Sequence, residues 1–336
     1  MKDLLRIADL APADLALLLE EAAAAKRNPH LHADLLRGDS VALYFAKPST
    51  RTRLALQTAV VRLGGTPLAL TPGQLQLTRG ESIQDTARVA SQYVRAIVVL
   101  GFADADLHEL AAAASVPVIN ALTDGHDPIQ ILAALLTLQQ RWGGLAGRKL
   151  AYLGQGGSVA HSLLEAAPLA GMSVAVATPH DLQPHPEVVA RARTLAVERG
   201  LVHLTSEPID AVQGADAVIT DAWRPAYDLT GARQPQTDAL ERFSVDQRLL
   251  AHARPDVLLL HCQPAYLGQE ATGQVIDGPR SRVLDLAENL LPVAQAILST
   301  LVAGNLQGHT TASAVPGDSS TRTTSLTSPT THRDDL

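Results

Sequence analysis

SVALYFAKPSTRTRLALQTAVVRLGG, Ser40 to Gly65, runs from an unbroken apolar segment through a cluster of hydroxyls and cations into a second apolar pattern. The first segment, 41–45, reads as a buried strand, and 50–63 has the apolar spacing of a helix. Ser49 then falls at the helix N-cap, where free backbone N–H groups and the helix dipole favour an anion. Ser49, Thr50 and Thr52 add hydroxyl donors, and Arg51 adds a planar fork matched to phosphate. Arg51 and Arg53 lie two residues apart and cannot face one ligand from a helix, so one of them holds structure or a neighbouring subunit. The competing reading is a solvated helix start with incidental basic residues.

Strand followed by helix recurs along the chain. Short apolar runs at 66–70, 96–100, 116–120, 149–153, 173–177, 217–220 and 257–260 predict further strands. Helical spacing appears at 85–94, 106–114, 129–140, 159–169 and 291–302, with Pro292 placed in the first turn of the last helix. This alternation predicts an α/β protein: two doubly wound domains with parallel sheets, joined by linking helices. The glycine-rich segment Trp142 to Gly147 divides them, giving domains at 1–142 and 143–288, then a helix at 289–303 returning to the first domain. Beyond it, 304–336 is rich in Ser, Thr, Gly and Pro and is expected to be disordered.

Composition narrows the function. The chain has 336 residues and a net charge of −7, which argues against a nucleic-acid partner. Cys262, the one cysteine, excludes an internal disulfide and suits the cytosol. The N-terminus lacks a signal-peptide pattern and no long uncharged apolar run is present, so a cytoplasmic protein without a membrane partner is expected.

A second anion-binding pattern, YLGQGGSVAHSLLEAA from Tyr152 to Ala167, has glycines spaced G-x-G-G. It lacks the third glycine of a dinucleotide fingerprint and the acid after the following strand, which leaves a nicotinamide-binding Rossmann protein as a minor alternative.

These motifs, with QLTRGESIQDTARV, VPVINALTDGHDPIQILAALLTL, TDAW, LLLHCQPA and AENLL, stand in an order that resembles ornithine carbamoyltransferases over residues 1–303. The resemblance implies a carbamoyl-phosphate domain and an amino-acid domain, a cytoplasmic homotrimer with shared sites, a place in arginine biosynthesis, and neither metal nor organic cofactor. The implied partners are carbamoyl phosphate, or another phosphate-bearing small molecule, and an amine acceptor. It makes Ser49, Thr50, Arg51 and Thr52 the phosphate cradle, with Gln76 reaching the ligand from a neighbouring subunit. Gln130 would hold the carbamoyl amide, Asp221 the α-amino group of the acceptor, and Cys262 would sit between the two substrates. Arg51, Gln130 and Cys262 form the implied catalytic set. The bland alternatives are a buried thiol for Cys262 and a turn former for Asp221.

The chain departs from that pattern in places. Leu100 and Leu290 stand where the family has arginines, and Asp127 stands where it has the carbonyl-polarising histidine, with His126 beside it. Gln263 replaces a leucine, Ser158 the asparagine that holds ornithine, and Pro225 and Ala226, after Arg224, replace Ser-Met. Leucine donates no hydrogen bond, and losing one preorganised donor costs about 10²–10³ in rate. Weak turnover of ornithine itself is therefore expected, from an enzyme with another acceptor or a catalytically impaired paralogue binding phosphate or an active relative.

Overall fold

The computed structural model describes residues 1–196, 201–223 and 236–308. Two parallel sheets form its frame. The first contains β1 (Ser40–Phe45), β2 (Thr66–Leu70), β3 (Ala96–Phe102) and β4 (Val118–Thr123), in the order β2-β1-β3-β4. The second contains β5 (Lys149–Leu153), β6 (Ser173–Ala177), β7 (Val202–Thr205), β8 (Ala217–Thr220) and β9 (Leu258–His261), in the order β7-β6-β5-β8-β9. Every strand pair is parallel. Both faces of such sheets must be covered, which explains the unbroken apolar runs. In β1, Val41, Leu43 and Phe45 join one core while Ala42 and Tyr44 join another on the opposite face. The α/β class with two parallel sheets is thus realised as the alternation predicts.

The helices preceding and covering the sheets are α1 (Pro12–Arg27), α2 (Arg51–Arg62), α3 (Ile83–Ala90), α4 (Asp104–Ala113), α5 (Pro128–Trp142), α6 (Ser158–Leu169) and α7 (Pro186–Leu195). The C-terminal helix, Val283–Val302, packs against α1, α2 and α5. One apolar cluster runs through α5 and α6 from Leu43 of the first sheet to Leu150 and Ile219 of the second.

Several boundaries correct the sequence reading. The C-terminal helix starts at Val283, well before 291, so Pro292 lies inside it rather than in its first turn. The missing N–H there is tolerated because Val283, Leu286 and Leu290 extend the buried face upstream. The cap of α2 is Thr50, not Ser49. Helix α3 starts at Ile83 because Ser82 Oγ accepts the Asp85 N–H at 3.0 Å. Strand β4 starts at Val118, whose N–H goes to Asp3 Oδ1 at 2.8 Å, and runs on to Thr123. Strand β3 runs on past Leu100 to Phe102. Of the tail expected to be disordered, residues 304–308 are held. Leu306 is buried, and the Asp14 carboxylate accepts the N–H groups of Gln307 at 2.9 Å and Gly308 at 2.7 Å. Residues 309–336 lie outside the described residues. No described helix is long and apolar enough to cross a membrane.

Candidate active site

In open parallel sheets, ligands sit at the carboxyl ends of the strands where the order reverses. Here those points are β1/β3 in the first sheet and β5/β8 in the second. The chain leaves β1 through Ala46–Thr50 and enters α2 at Arg51. Thr50 makes no side-chain capping bond, so the first-turn N–H groups of α2 are not taken by a cap. Ser49, Arg51 and Thr52 are half-buried and Thr50 is exposed. The two arginines separate as helix geometry requires: Arg53 stacks over the Phe45 ring at 5.4 Å. Arg51 feels Cys262 and Asp221 of the second sheet, while its burial lowers its pKa.

The opposite wall comes from the adjacent ends of β5, β8 and β9. Asp221 follows β8 and Cys262 follows β9. Burial raises the Asp221 pKa, against the opposing effects of His261, the Ala222 N–H and Arg51. Tyr152 O–H donates to the Gln155 carbonyl at 2.9 Å, fixing the turn after β5. Gly156 is required there, since a Cβ would stand 2.2 Å from the Pro184 nitrogen. That close approach accounts for this glycine by packing. Ser158, half-buried, opens α6. His261 Nδ1 accepts the Gln263 N–H at 2.7 Å, so its Nε2–H donates to Glu270 Oε1 at 3.1 Å. This buried pair holds the turn in which Gln263 adopts φ +57° and precedes a cis proline.

The floor is the start of α5. Asp127 Oδ1 caps that helix, accepting the Gln130 N–H at 3.3 Å. Its own N–H donates to Ser162 Oγ on α6 at 2.8 Å. Burial pushes the Asp127 carboxyl up to about 7, and Asp221 adds to the rise. The Gln130 amide faces the Cys262 thiol, and its Nε2 finds no hydrogen-bond partner among the described residues. Burial, then Asp221 and Asp127, push the Cys262 thiol well above its ordinary value, with Arg51 opposing.

Arg51, Asp127, Gln130, Asp221 and Cys262 therefore converge from both sheets. Such an arrangement can hold an anion at α2, present an amide donor and a neutral thiol to a carbonyl, and offer carboxylates to an ammonium. Gln76 is exposed on a short turn and its side chain accepts from Arg79 at 3.4 Å rather than from a cleft residue. Leu100 and Leu290 are 2% and 1% exposed and belong to the apolar core that also contains Cys262. His126 is turned to Asp104 and Glu165. Pro225 and Ala226, with Arg224, lie outside the described residues. The sequence reading missed the His261–Glu270 pair and Glu165; an acid within the apolar SLLEAAPL stretch was the available signal for the latter.

Comparison with known proteins agrees with this architecture. Residues 2–140 match the carbamoyl-P binding domain of aspartate/ornithine carbamoyltransferases, and residues 146–301 match their Asp/Orn binding domain. The ornithine carbamoyltransferase of Acidothermus cellulolyticus is 45% identical over 300 residues, 88% of this chain and 94% of the relative. The solved ornithine carbamoyltransferase of Pyrococcus furiosus superposes with a TM-score of 0.85 at 40% identity, covering 91% of this chain and 98% of that one. For the Gloeobacter violaceus enzyme the TM-score is 0.81 at 40% identity, with 90% and 99% covered. Matched in both domains and along nearly its whole described length, the chain belongs to the aspartate/ornithine carbamoyltransferase family.

Proposed function

We propose that the protein transfers the carbamoyl group of carbamoyl phosphate to an amine of ornithine or a related amino compound. The observation that carries this reading is the meeting of Arg51, at the uncapped start of α2, with Asp221 and Cys262 from the second sheet. In the reaction the unprotonated amine attacks the carbonyl carbon, the carbonyl π pair moves onto oxygen, and collapse expels phosphate while the amine nitrogen loses a proton. Ser49, Thr50, Arg51 and Thr52 hold the phosphate, Gln130 holds the carbamoyl amide, and Asp221 pairs with the acceptor's ammonium group. Cys262 lies between the substrates, and Ser158 borders the acceptor.

The chain divides into a carbamoyl-phosphate domain at 1–142 and an acceptor domain that runs from 143 to the start of the C-terminal helix at Val283, which returns to the first domain. A cytoplasmic homotrimer, in which exposed Gln76 reaches a neighbour's ligand, fits the family and a role in arginine biosynthesis. A monomer by light scattering with ligand present would refute the shared site.

Calorimetry tests the central assignment. Arg51→Ala should weaken binding of inorganic phosphate and carbamoyl phosphate by about 1.5–3 kcal/mol, the worth of a charge-assisted contact. Equal affinity before and after the change would remove the cradle from α2.

A further inference from the structure

The turn between β4 and α5 carries His126, whose side chain is buried. Its Nδ1 is 2.7 Å from Asp104 Oδ2, at the start of α4 in the first domain. Its Nε2 is 3.5 Å from Glu165 Oε1, on α6 beneath the second sheet. Each carboxylate is itself anchored. Glu165 is fully buried, accepts Arg191 Nε of α7 at 2.8 Å, and takes the Ala8 N–H at 3.1 Å. Asp104 accepts the Thr123 hydroxyl, and it fits only because position 125 is glycine: a Cβ there would lie 2.2 Å from Asp104 Oδ2.

The same turn is fastened to α6 twice more. His161 Nδ1–H donates to the Gly125 carbonyl at 2.8 Å, and the Asp127 N–H donates to Ser162 Oγ at 2.8 Å. His161 Nε2 accepts the His185 N–H at 3.0 Å, so His161 must be neutral to satisfy both bonds. Nδ1 hydrogen-bonds Asp104 while Nε2, at ion-pair distance from Glu165, makes no hydrogen bond among the described residues, so charge rather than hydrogen bonding on that side favours the imidazolium. Other charged or titratable groups around the cluster are Arg191, the Arg6–Asp9 pair, His108, Asp124, Asp127, His161 and His185. Remove the His126 proton and two buried or half-buried carboxylates face a neutral ring.

We propose that His126 is a positioning residue: its imidazolium, clamped between Asp104 and Glu165, locks the 123–127 turn onto α6 and so fixes where Asp127 and Gln130 stand against Cys262. The kinetic part of this inference rests on the function proposed above; the latch itself does not. Although its burial lowers its pKa, the hydrogen bond to Asp104 and the charges of Glu165 and Asp104 outweigh that and hold the ring at about 9. The raised value means that the latch contributes fully below about 6.5 and is lost as pH rises through about 9.

Amide hydrogen exchange of the ligand-free full-length protein, with and without His126→Gln, tests the latch between about pH 7 and pH 10. In the wild type, protection of residues 125–130, corrected for intrinsic rates, should fall at least about tenfold through that range while β1 keeps its protection. In His126→Gln it should be low throughout, with no step near pH 9. Equal protection in both proteins, or a wild type without that step, overturns the latch. Glutamine preserves a buried hydrogen-bonding side chain; should the variant fail to fold, the wild-type titration alone decides. In a carbamoyl-transfer assay, His126→Gln should lower kcat at least about tenfold with the carbamoyl-phosphate KM within about twofold. An unchanged kcat would overturn the positioning role. Loss of phosphate binding by the wild type, with the exchange step present, would instead strike the proposed function and leave the latch standing.

Discussion

Asp127 Oδ1 accepts the backbone N–H of Gln130 at 3.3 Å, so a carboxyl that faces Asp221 and Cys262 is also the cap of the helix that carries the Gln130 amide. Its carboxyl titrates at about 7 because burial, reinforced by Asp221, disfavours the anion. A raised acid pKa means that the native state binds the proton more tightly than the unfolded chain does. The associated stability is fully present below about 3.8 and is lost as pH rises through about 7.

Asp127→Asn preserves a capping oxygen and removes the ionisation. The variant should unfold at nearly the wild-type temperature near about pH 4.5 and a few degrees above it at about pH 8, each kcal/mol being worth about 1–2 °C at this size. Calorimetric scans at the two pH values check this; an unchanged difference would place the carboxylate in water.

Cys262 should behave as an inert thiol. Burial, Asp221 and Asp127 all oppose the thiolate, which is the reactive form. Modification by a neutral alkylating reagent at about pH 8 should run at least about tenfold slower than that of a free cysteine peptide. Asp221→Asn should narrow the gap. Labelling at the peptide's rate would show an accessible thiolate.

Ornithine should be a poor acceptor. Leu100 and Leu290 are enclosed in the core and donate nothing to a developing oxyanion. Citrulline formation, measured beside an authentic ornithine carbamoyltransferase, should fall short by more than about tenfold, or about 1.4 kcal/mol in barrier. Parity would mean that other groups replace the missing donors. Asp127→His should raise whatever transfer is observed.

Asn289 should matter more for stability than for chemistry. Its Nδ2 donates to Thr137 Oγ1 at 2.8 Å and Gln140 Oε1 at 3.2 Å, and its Oδ1 accepts Lys26 Nζ at 2.7 Å. The fully buried amide thus ties the C-terminal helix to both α5 and α1. Asn289→Ala removes these three bonds, while Lys26 keeps Glu288 and Gln140 and Thr137 keeps the Ala133 carbonyl, and should cost roughly 1–3 kcal/mol by denaturant unfolding. A loss below about 0.5 kcal/mol would show that water replaces the amide.

The fold was legible where burial is continuous. Strands such as β1, β5 and β8 are apolar except at one terminal residue, Ser40, Lys149 or Thr220, because both sheet faces are covered. Strand β7, Val-His-Leu-Thr, is short and half-polar, and gave no such signal. Helix α1 gives no clear periodic signal because apolar residues occupy nearly every position of its Ala/Leu-rich centre, so a 3.6-residue period does not stand out. Pro292 suggests a helix start near 291, whereas the C-terminal helix begins at Val283 and carries the proline within it. At the site, Arg51, Asp127, Gln130, Asp221 and Cys262 come together near strand ends, whereas Gln76 stands on an exposed turn and Pro225 and Ala226 lie outside the described residues. The long-range pairings, His126 with Glu165 and His261 with Glu270, leave no spacing in the sequence and required the fold to be seen.

The C-terminal helix also bears on how the protein is made. Residues 283–302 complete the packing of α1, α2 and α5, elements built from the first half of the chain. Domains tend to fold as they leave the ribosome, N-terminal first. Here the first sheet's helical layer must wait for the last helix to emerge, while the second sheet is synthesised whole before it. A nascent chain stalled before Val283 would keep the apolar sides of α1, α2 and α5 uncovered, making that interval of translation the one in which chaperone capture matters most.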